Sequence, residues 1–120
     1  MKLELPARQP FSFHSVVHSH GWYQLAPWRF DPEAQTLHVV DRLSDGRVVA
    51  LQVRAPGDGV EVEAAGRLSQ AAQREIASRV RWMLMLDADF SEFYALADRE
   101  PKLAHCRALA QGRYLRSPSI

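Results

Sequence analysis

The chain has 120 residues, of which 47% are hydrophobic and 24% charged, and its formal net charge is +1. That is one domain's length with enough apolar material for a core, which excludes a disordered chain, and the near-zero charge excludes a whole-molecule basic field. No apolar run approaches the roughly 20 residues of a membrane-spanning helix, the start Met1-Lys2-Leu3-Glu4-Leu5-Pro6 lacks a signal peptide's apolar stretch, and a lone Cys106 allows no internal disulfide, so a soluble chain in the reducing cytoplasm is expected.

Pro10 opens Phe11-Ser12-Phe13-His14, whose alternation predicts a short edge strand. Ser15 to Gly21 reads as a helical turn ended by Gly21, and Trp22 to Phe30 as a strand interrupted by Pro27. Asp31-Pro32-Glu33-Ala34 is a turn. Leu37, Val39 and Leu43 then alternate with His38, Val40 and Arg42, and Asp45-Gly46 predicts a type I′ turn into a strand from Arg47 to Arg54. Pro56-Gly57-Asp58-Gly59 turns the chain again, and Val60-Glu61-Val62-Glu63-Ala64 alternates as a strand with one wet face. With the earlier segments, this meander extends to about five strands.

Ser69 is a good N-cap for a long helix with Ala72, Ile76, Val80, Met83 and Leu84 on one face. Asp87-Ala88-Asp89 breaks it, and Asp89 with Glu92 has the spacing of a capping box for a second helix carrying Phe90, Phe93, Tyr94 and Ala97. Pro101 suits the first turn of a third helix ending at Gly112. The fold class is therefore α+β: an antiparallel sheet covered by a long helix, followed by two shorter helices.

Charge is uneven. From Pro101 onward there are four basic residues, Lys102, Arg107, Arg113 and Arg116, and no acid, whereas residues 1–100 carry 11 basic and 14 acidic groups. This asymmetry fits either a surface that meets an anionic partner or a solvated helix with a frayed end.

Candidate chemistry is sparse. His14, His18 and His20 share a face if extended, and three imidazoles can hold zinc, but no Cys or carboxylate stands near in sequence; partly exposed structural histidines are the alternative. Asp87 and Asp89 resemble a carboxylate pair, yet between helices Asp is ordinarily a cap. His105 and Cys106 point about 100° apart on a helix and do not face each other. Trp22, Tyr23, Trp28 and Phe30 beside Arg29 can stack bases or simply pack a small sheet. No glycine-rich phosphate loop or nucleophile elbow is present. Residues alone thus support a sheet with helices and no complete active site.

The order of motifs is more telling. His18-Ser19-His20-Gly21-Trp22 leads into Leu25-Ala26-Pro27-Trp28 and then Leu43-Ser44-Asp45-Gly46-Arg47-Val48. Met83-Leu84-Met85-Leu86-Asp87-Ala88-Asp89-Phe90-Ser91-Glu92-Phe93-Tyr94 follows, and last Gln111-Gly112-Arg113-Tyr114-Leu115-Arg116-Ser117-Pro118-Ser119-Ile120. From about Phe11 to Ile120 this resembles the N-terminal portion of a bacterial base-excision DNA glycosylase of the helix-hairpin-helix superfamily, the 3-methyladenine/8-oxoguanine group.

The resemblance implies a TATA-binding-protein-like sheet over residues 1–86 and a helical linker over 87–120. The linker would lead to a C-terminal helix-hairpin-helix catalytic domain in cis. It implies duplex DNA with an oxidised or alkylated base as partner, excision of that base after flipping, no cofactor, no metal and no membrane. The place of action would be a bacterial cytoplasm, at the nucleoid. The hairpin, the catalytic Asp and the Lys of bifunctional members would lie beyond Ile120, leaving this chain inactive alone. Gly21 stands roughly where related 8-oxoguanine enzymes use a glycine carbonyl to read the base, with a turn or cap role as the alternative. Arg113 and Arg116 match the linker, where their forked donors suit DNA phosphate or staple the domains. The competing reading is a free-standing protein- or nucleic-acid-binding α+β module.

Overall fold

The computed structural model describes residues 1–118. Ser119 and Ile120, the last residues of the basic tail, lie outside the described residues. Five strands form one antiparallel sheet: β1 (Lys2–Leu5), β2 (Trp28–Asp31), β3 (Thr36–Arg42), β4 (Val48–Arg54) and β5 (Val60–Glu63), in the order β1-β5-β4-β3-β2. Four helices accompany them: α1 (Phe13–Val17), α2 (Gln70–Leu84), α3 (Ser91–Ala97) and α4 (His105–Ala108). The molecule is α+β, as the alternation and the helical periods predict.

Register follows the hydrophobic pattern. Leu37 faces Val53 and Val39 faces Leu51 across β3 and β4, and Val53 faces Val62 across β4 and β5. Because strand side chains alternate, this puts Leu37, Val39, Leu51, Val53 and Val62 on one side, all at most 3% exposed. The buried stripe of α2 (Ala72, Ile76, Ala77, Val80, Met83 and Leu84) belongs to the same core cluster. Each Val, Leu, Ile or Met side chain among them contributes about 1.5–3 kcal/mol when fully withdrawn from water. The opposite side of the sheet is wet and carries ion pairs, Lys2 to Glu61 at 3.3 Å and Arg54 to Glu63 at 2.6 Å.

Several local expectations are corrected. Phe11-Ser12-Phe13-His14 is not an edge strand: Ser12 caps α1, its Oγ accepting from the Ser15 N–H at 3.2 Å, and Phe13, Val16 and Val17 bury at helical spacing. The fifth strand is instead Lys2–Leu5, which pairs with β5. Trp22 is not in a strand; Gly21–Gln24 is a 3-10 turn, Ala26–Pro27 is cis, and β2 starts only at Trp28. At Asp45-Gly46 only Gly46 has a positive φ, 88°, so the hairpin is a three-residue loop with a left-handed glycine rather than type I′. Asp89 accepts from the Ser91 N–H at 2.9 Å, one residue earlier than a capping box requires. The expected helix from Pro101 to Gly112 shrinks to His105–Ala108, preceded by turns.

The Ser69 cap is as predicted, its Oγ accepting from Ala72 N–H at 3.1 Å. At the other end of α2, Met85 is left-handed at φ 53°, its N–H reaching Arg81 and Trp82 carbonyls. A non-glycine residue there costs about 1–2 kcal/mol, so surrounding contacts must hold it.

α3 and α4 stand apart. Their own cluster buries only Tyr94, Ala97 and Cys106, with Phe90 packed against it. The molecule is elongated, 49 × 27 × 26 Å, with a radius of gyration of 15.1 Å. A compact 120-residue domain would show about 13.5 Å.

Candidate functional site

The segment Arg113–Ser117 threads back across the first half of the molecule, and the predicted site residues gather around it. Arg113 is buried, 5% exposed. Its Nε donates to the Met85 carbonyl at 2.9 Å, Nη1 to Pro10 at 2.6 Å, and Nη2 to Arg8 at 2.6 Å and Ala88 at 3.3 Å. The rings of Phe11 and Phe90 lie 5.3 and 5.1 Å from its guanidinium carbon. The fork expected to reach phosphate is therefore closed inward on four carbonyls. Burial pulls this guanidinium below its ordinary pKa, with Tyr94 opposing the shift. No carboxylate partners it in the salt bridges of the described residues. The carbonyl it draws from Met85 helps hold that residue left-handed.

Leu115 is fully buried in the main core. Its N–H donates to Ser19 Oγ at 3.1 Å, and its carbonyl lies 2.9 Å from His20 Nε2. His20 Nδ1 accepts from the Trp22 N–H at 3.2 Å, which assigns the proton to Nε2. His20 is thus turned toward the C-terminal segment. His14 and His18 stack on each other at 4.1 Å, and His18 also meets Tyr23 at 4.6 Å and Phe30 at 4.9 Å. The three histidines do not converge, and among the described residues no group of three His, Cys, Asp or Glu could hold a metal.

Arg116 lies differently. Its guanidinium carbon sits 3.8 Å over the Trp82 ring, and its N–H donates to the Met83 carbonyl at 2.8 Å. The Nε is buried with no acceptor among the described residues. Arg116, Arg81, Trp82, Ser78 and Asp87 line an open groove of 530 Å³. On the other side of the segment, His14, His18, Gln111, Gly112 and Tyr114 line a second groove of 480 Å³. Nothing in the sequence placed Trp82 here, although a Trp off the apolar stripe of an amphipathic helix is itself a signal for a surface role.

Gly21 opens the 3-10 turn and does not end α1, whose C-cap is His18. Nothing lies within 4 Å of where its Cβ would be. Beside it, Trp22 is 49% exposed and stacked on Trp28 at 6.2 Å, while Trp28 is buried with its Nε1 donating to Met83 Sδ at 3.4 Å. Arg29 lies on the wet side of β2, away from Trp28 and Phe30.

Acid–base pairs are missing from this constellation. Asp89 is held by Arg8 at 3.2 Å, and the Ser91 N–H is the main cause of its lowered pKa. His105 Nε2 does come within 4.0 Å of Cys106 Sγ, the imidazole reaching its neighbour along the helix. The thiol is 5% exposed, so it is closed to substrate. Tyr94 donates to the Gln111 carbonyl at 2.6 Å, and burial raises its pKa. The arrangement can bind and brace; Arg113, His20 and Tyr94 are committed to backbone carbonyls.

No family model matches the sequence, and no curated protein does. The fold does match solved structures. One is a 3-methyladenine DNA-glycosylase from Archaeoglobus fulgidus, similar with a TM-score of 0.68 over 99% of this chain at 18% identity. At that identity the likeness establishes a shared fold. The chain spans 40% of that protein's length.

Proposed function

We propose that this chain is the N-terminal, non-catalytic part of a base-excision DNA glycosylase that removes oxidised or alkylated bases from duplex DNA. The observation that carries this reading is the fold match over 99% of the chain to 40% of a 3-methyladenine DNA-glycosylase. We read the five-stranded sheet with α2 on its apolar side as TATA-binding-protein-like, residues 1–86 as its body and 87–120 as the lead into a helix-hairpin-helix catalytic domain in cis. A bacterial cytoplasm, at the nucleoid, is the place of action this reading assigns. Hydrolysis of the glycosidic bond after base flipping would fall to that domain.

Within this part we assign three roles. Arg113 is the internal clamp, since its nitrogens already serve four carbonyls. Arg116 is the phosphate contact, supported by its place in the groove beside Arg81. The Gly21 carbonyl is offered to the flipped base, as the resemblance implies, and the Cβ side of Gly21 is open.

The test is abasic-site formation on duplexes carrying 8-oxoguanine or an alkylated adenine. The 120-residue chain should give no more than buffer, and the full product of its gene should excise at least one of the two. Excision by the short chain, or none by the full product, overturns the reading. In the full product, Arg116→Ala should weaken duplex binding across sequences and lower its salt slope by about 1. An unchanged slope removes Arg116 from the DNA surface.

A further inference from the structure

The two edges of the sheet are finished differently. At the β2 edge the Trp28 N–H already donates to the Leu25 carbonyl at 2.9 Å, and Tyr23 packs on Phe30. At the β1 edge the Met1 nitrogen donates to the Ala64 carbonyl at 2.9 Å, and the Ala64 N–H donates to the Met1 carbonyl at 3.0 Å. In an antiparallel ladder such bonded pairs alternate with unbonded ones, so Leu3 with Val62 and Leu5 with Val60 are the bonded pairs of β1. Lys2 and Glu4 therefore turn their N–H and C=O groups outward, and no strand lies beyond β1 in the sheet. Such a row of open backbone groups is a template for one more strand.

A groove of 470 Å³ runs between this edge and α2. Leu3, Leu5 and Ala77 form its apolar part, and Gln73, Arg74 and Arg81 its polar part. Arg74 is exposed and Arg81 half-buried, and neither joins a salt bridge of the described residues. Glu75, the acid nearest Arg74 along α2, is held by Ser44 and Arg79. Open backbone groups, an apolar strip and two cations without a carboxylate thus lie together.

We propose that this groove takes an extended acidic peptide segment of another protein, which adds antiparallel to β1 as a sixth strand. This goes beyond the glycosylase reading and does not depend on it. Main-chain bonds to Lys2 and Glu4 supply the pairing, and alternate side chains of the incoming strand fall into the groove. One apolar side chain meets Leu3, and a carboxylate on each side of it meets Arg74 or Arg81. The two arginines are seven residues apart on α2, about 10.5 Å along its axis. The two carboxylates, four residues apart on a strand, are about 13.6 Å apart, a difference long side chains absorb. Pro6 has no N–H and ends the open edge, so a short segment is the match. A second copy fits less well. Pairing β1 with its own counterpart would set Lys2 against Glu4, but it would also set the arginines of both α2 helices on one side of the joint.

The probe is a capped peptide with the central sequence Glu-Thr-Val-Thr-Glu, titrated into the isotope-labelled 120-residue chain and followed by NMR. The Lys2 and Glu4 amides should shift and exchange more slowly, while β3 stays unchanged. Replacing both peptide Glu by Lys should weaken binding about tenfold, the effect of two exposed ion pairs, and added salt should narrow that gap. Arg74→Glu with Arg81→Glu should reverse the preference, and that reversal also shows that the variant is folded. N-methylation of both peptide Thr removes the incoming donors and should abolish binding. No binding, binding indifferent to charge, or binding that survives N-methylation overturns the proposal. Arg81 also borders the Arg116 groove, so a duplex oligonucleotide is added as competitor. Displacement of the peptide by the duplex would make these arginines a phosphate surface and overturn the proposal. So would a dimer of the chain that closes the β1 edge to the peptide. Base excision is scored separately, and either result can fail without the other.

Discussion

The sheet and α2 share a core of 21 buried residues with α1 and Leu115, whereas α3 and α4 close over three. Both regions come from similar composition, and both contain helices with an apolar side. The difference is what each has to pack against. The α2 stripe is buried in one core cluster with the sheet residues, while α3 packs on α4 in a cluster of three, and Phe93 and Leu96 are exposed. Helical order here is set by tertiary burial more than by local preference. Arg113 joins the two regions: it binds carbonyls at both ends of the first region and stacks on Phe90 of the second.

The sharpest way to break this comparison is to remove the joint. Arg113→Met leaves the Arg8, Pro10 and Ala88 carbonyls without this donor, while the Met85 carbonyl keeps the Ala88 N–H, and should cost about 3 kcal/mol, at roughly 1 for each part-buried group. Urea unfolding would read it, and both regions should lose stability together. A loss confined to α3 and α4 would show that Arg113 serves only its own neighbourhood. Next, Leu37→Ala at a fully buried position should cost about 3 kcal/mol and lower the global transition. A smaller loss would mean the sheet core collapses around the gap.

Tyr94→Phe removes one hydrogen bond, to Gln111, and should cost about 1 kcal/mol. That loss should appear as faster exchange in α3 and α4 while β3 and β4 keep their protection, because sub-global opening draws on the region with the smaller core. Uniform loss would merge the two regions into one cooperative unit. The smallest effect concerns the sheet edge of α2. Ser44 Oγ and its N–H both donate to Glu75, at 2.8 Å each, and lower its pKa from an ordinary 4.5, with Arg79 assisting. A depressed folded pKa adds stability above the unfolded value, and this is lost as pH falls from about 4.5 through the folded pKa. Ser44→Ala should move the Glu75 titration upward by NMR, and an unmoved curve would assign the shift to the Ser44 N–H and Arg79.

Much of the sheet was readable because period-two alternation in 37–43, 47–54 and 60–64 has no rival pattern. α2 was readable for the same reason at period 3.6, and Ser69 marked its start. The misses have physical causes. In Phe11 to Val17, the aromatic alternation of Phe11 and Phe13 competes with the i, i+3, i+4 set of Phe13, Val16 and Val17, and burial against the core decided for the helix. Lys2-Leu3-Glu4-Leu5 alternates too briefly to stand out and becomes a strand only through β5. Around the candidate site, Arg113 and Arg116 were singled out, but their surroundings were not visible. Pro10 is 103 residues from Arg113, and Ser19 is 96 from Leu115. No local pattern encodes contacts of that span.

The Arg113 clamp also has a consequence for the order of events during synthesis. The hairpins joining β2 through β5 can close as each strand is made, since their partners are neighbours in sequence. The carbonyls of Arg8 and Pro10, made among the first, must wait for a side chain made more than 100 residues later. Until then they are exposed to water, beside a β1 that is itself waiting for β5. The opening residues of this nascent chain are thus the last to be locked, and a pause before codon 113 would leave the front of the protein open to proteases and chaperones.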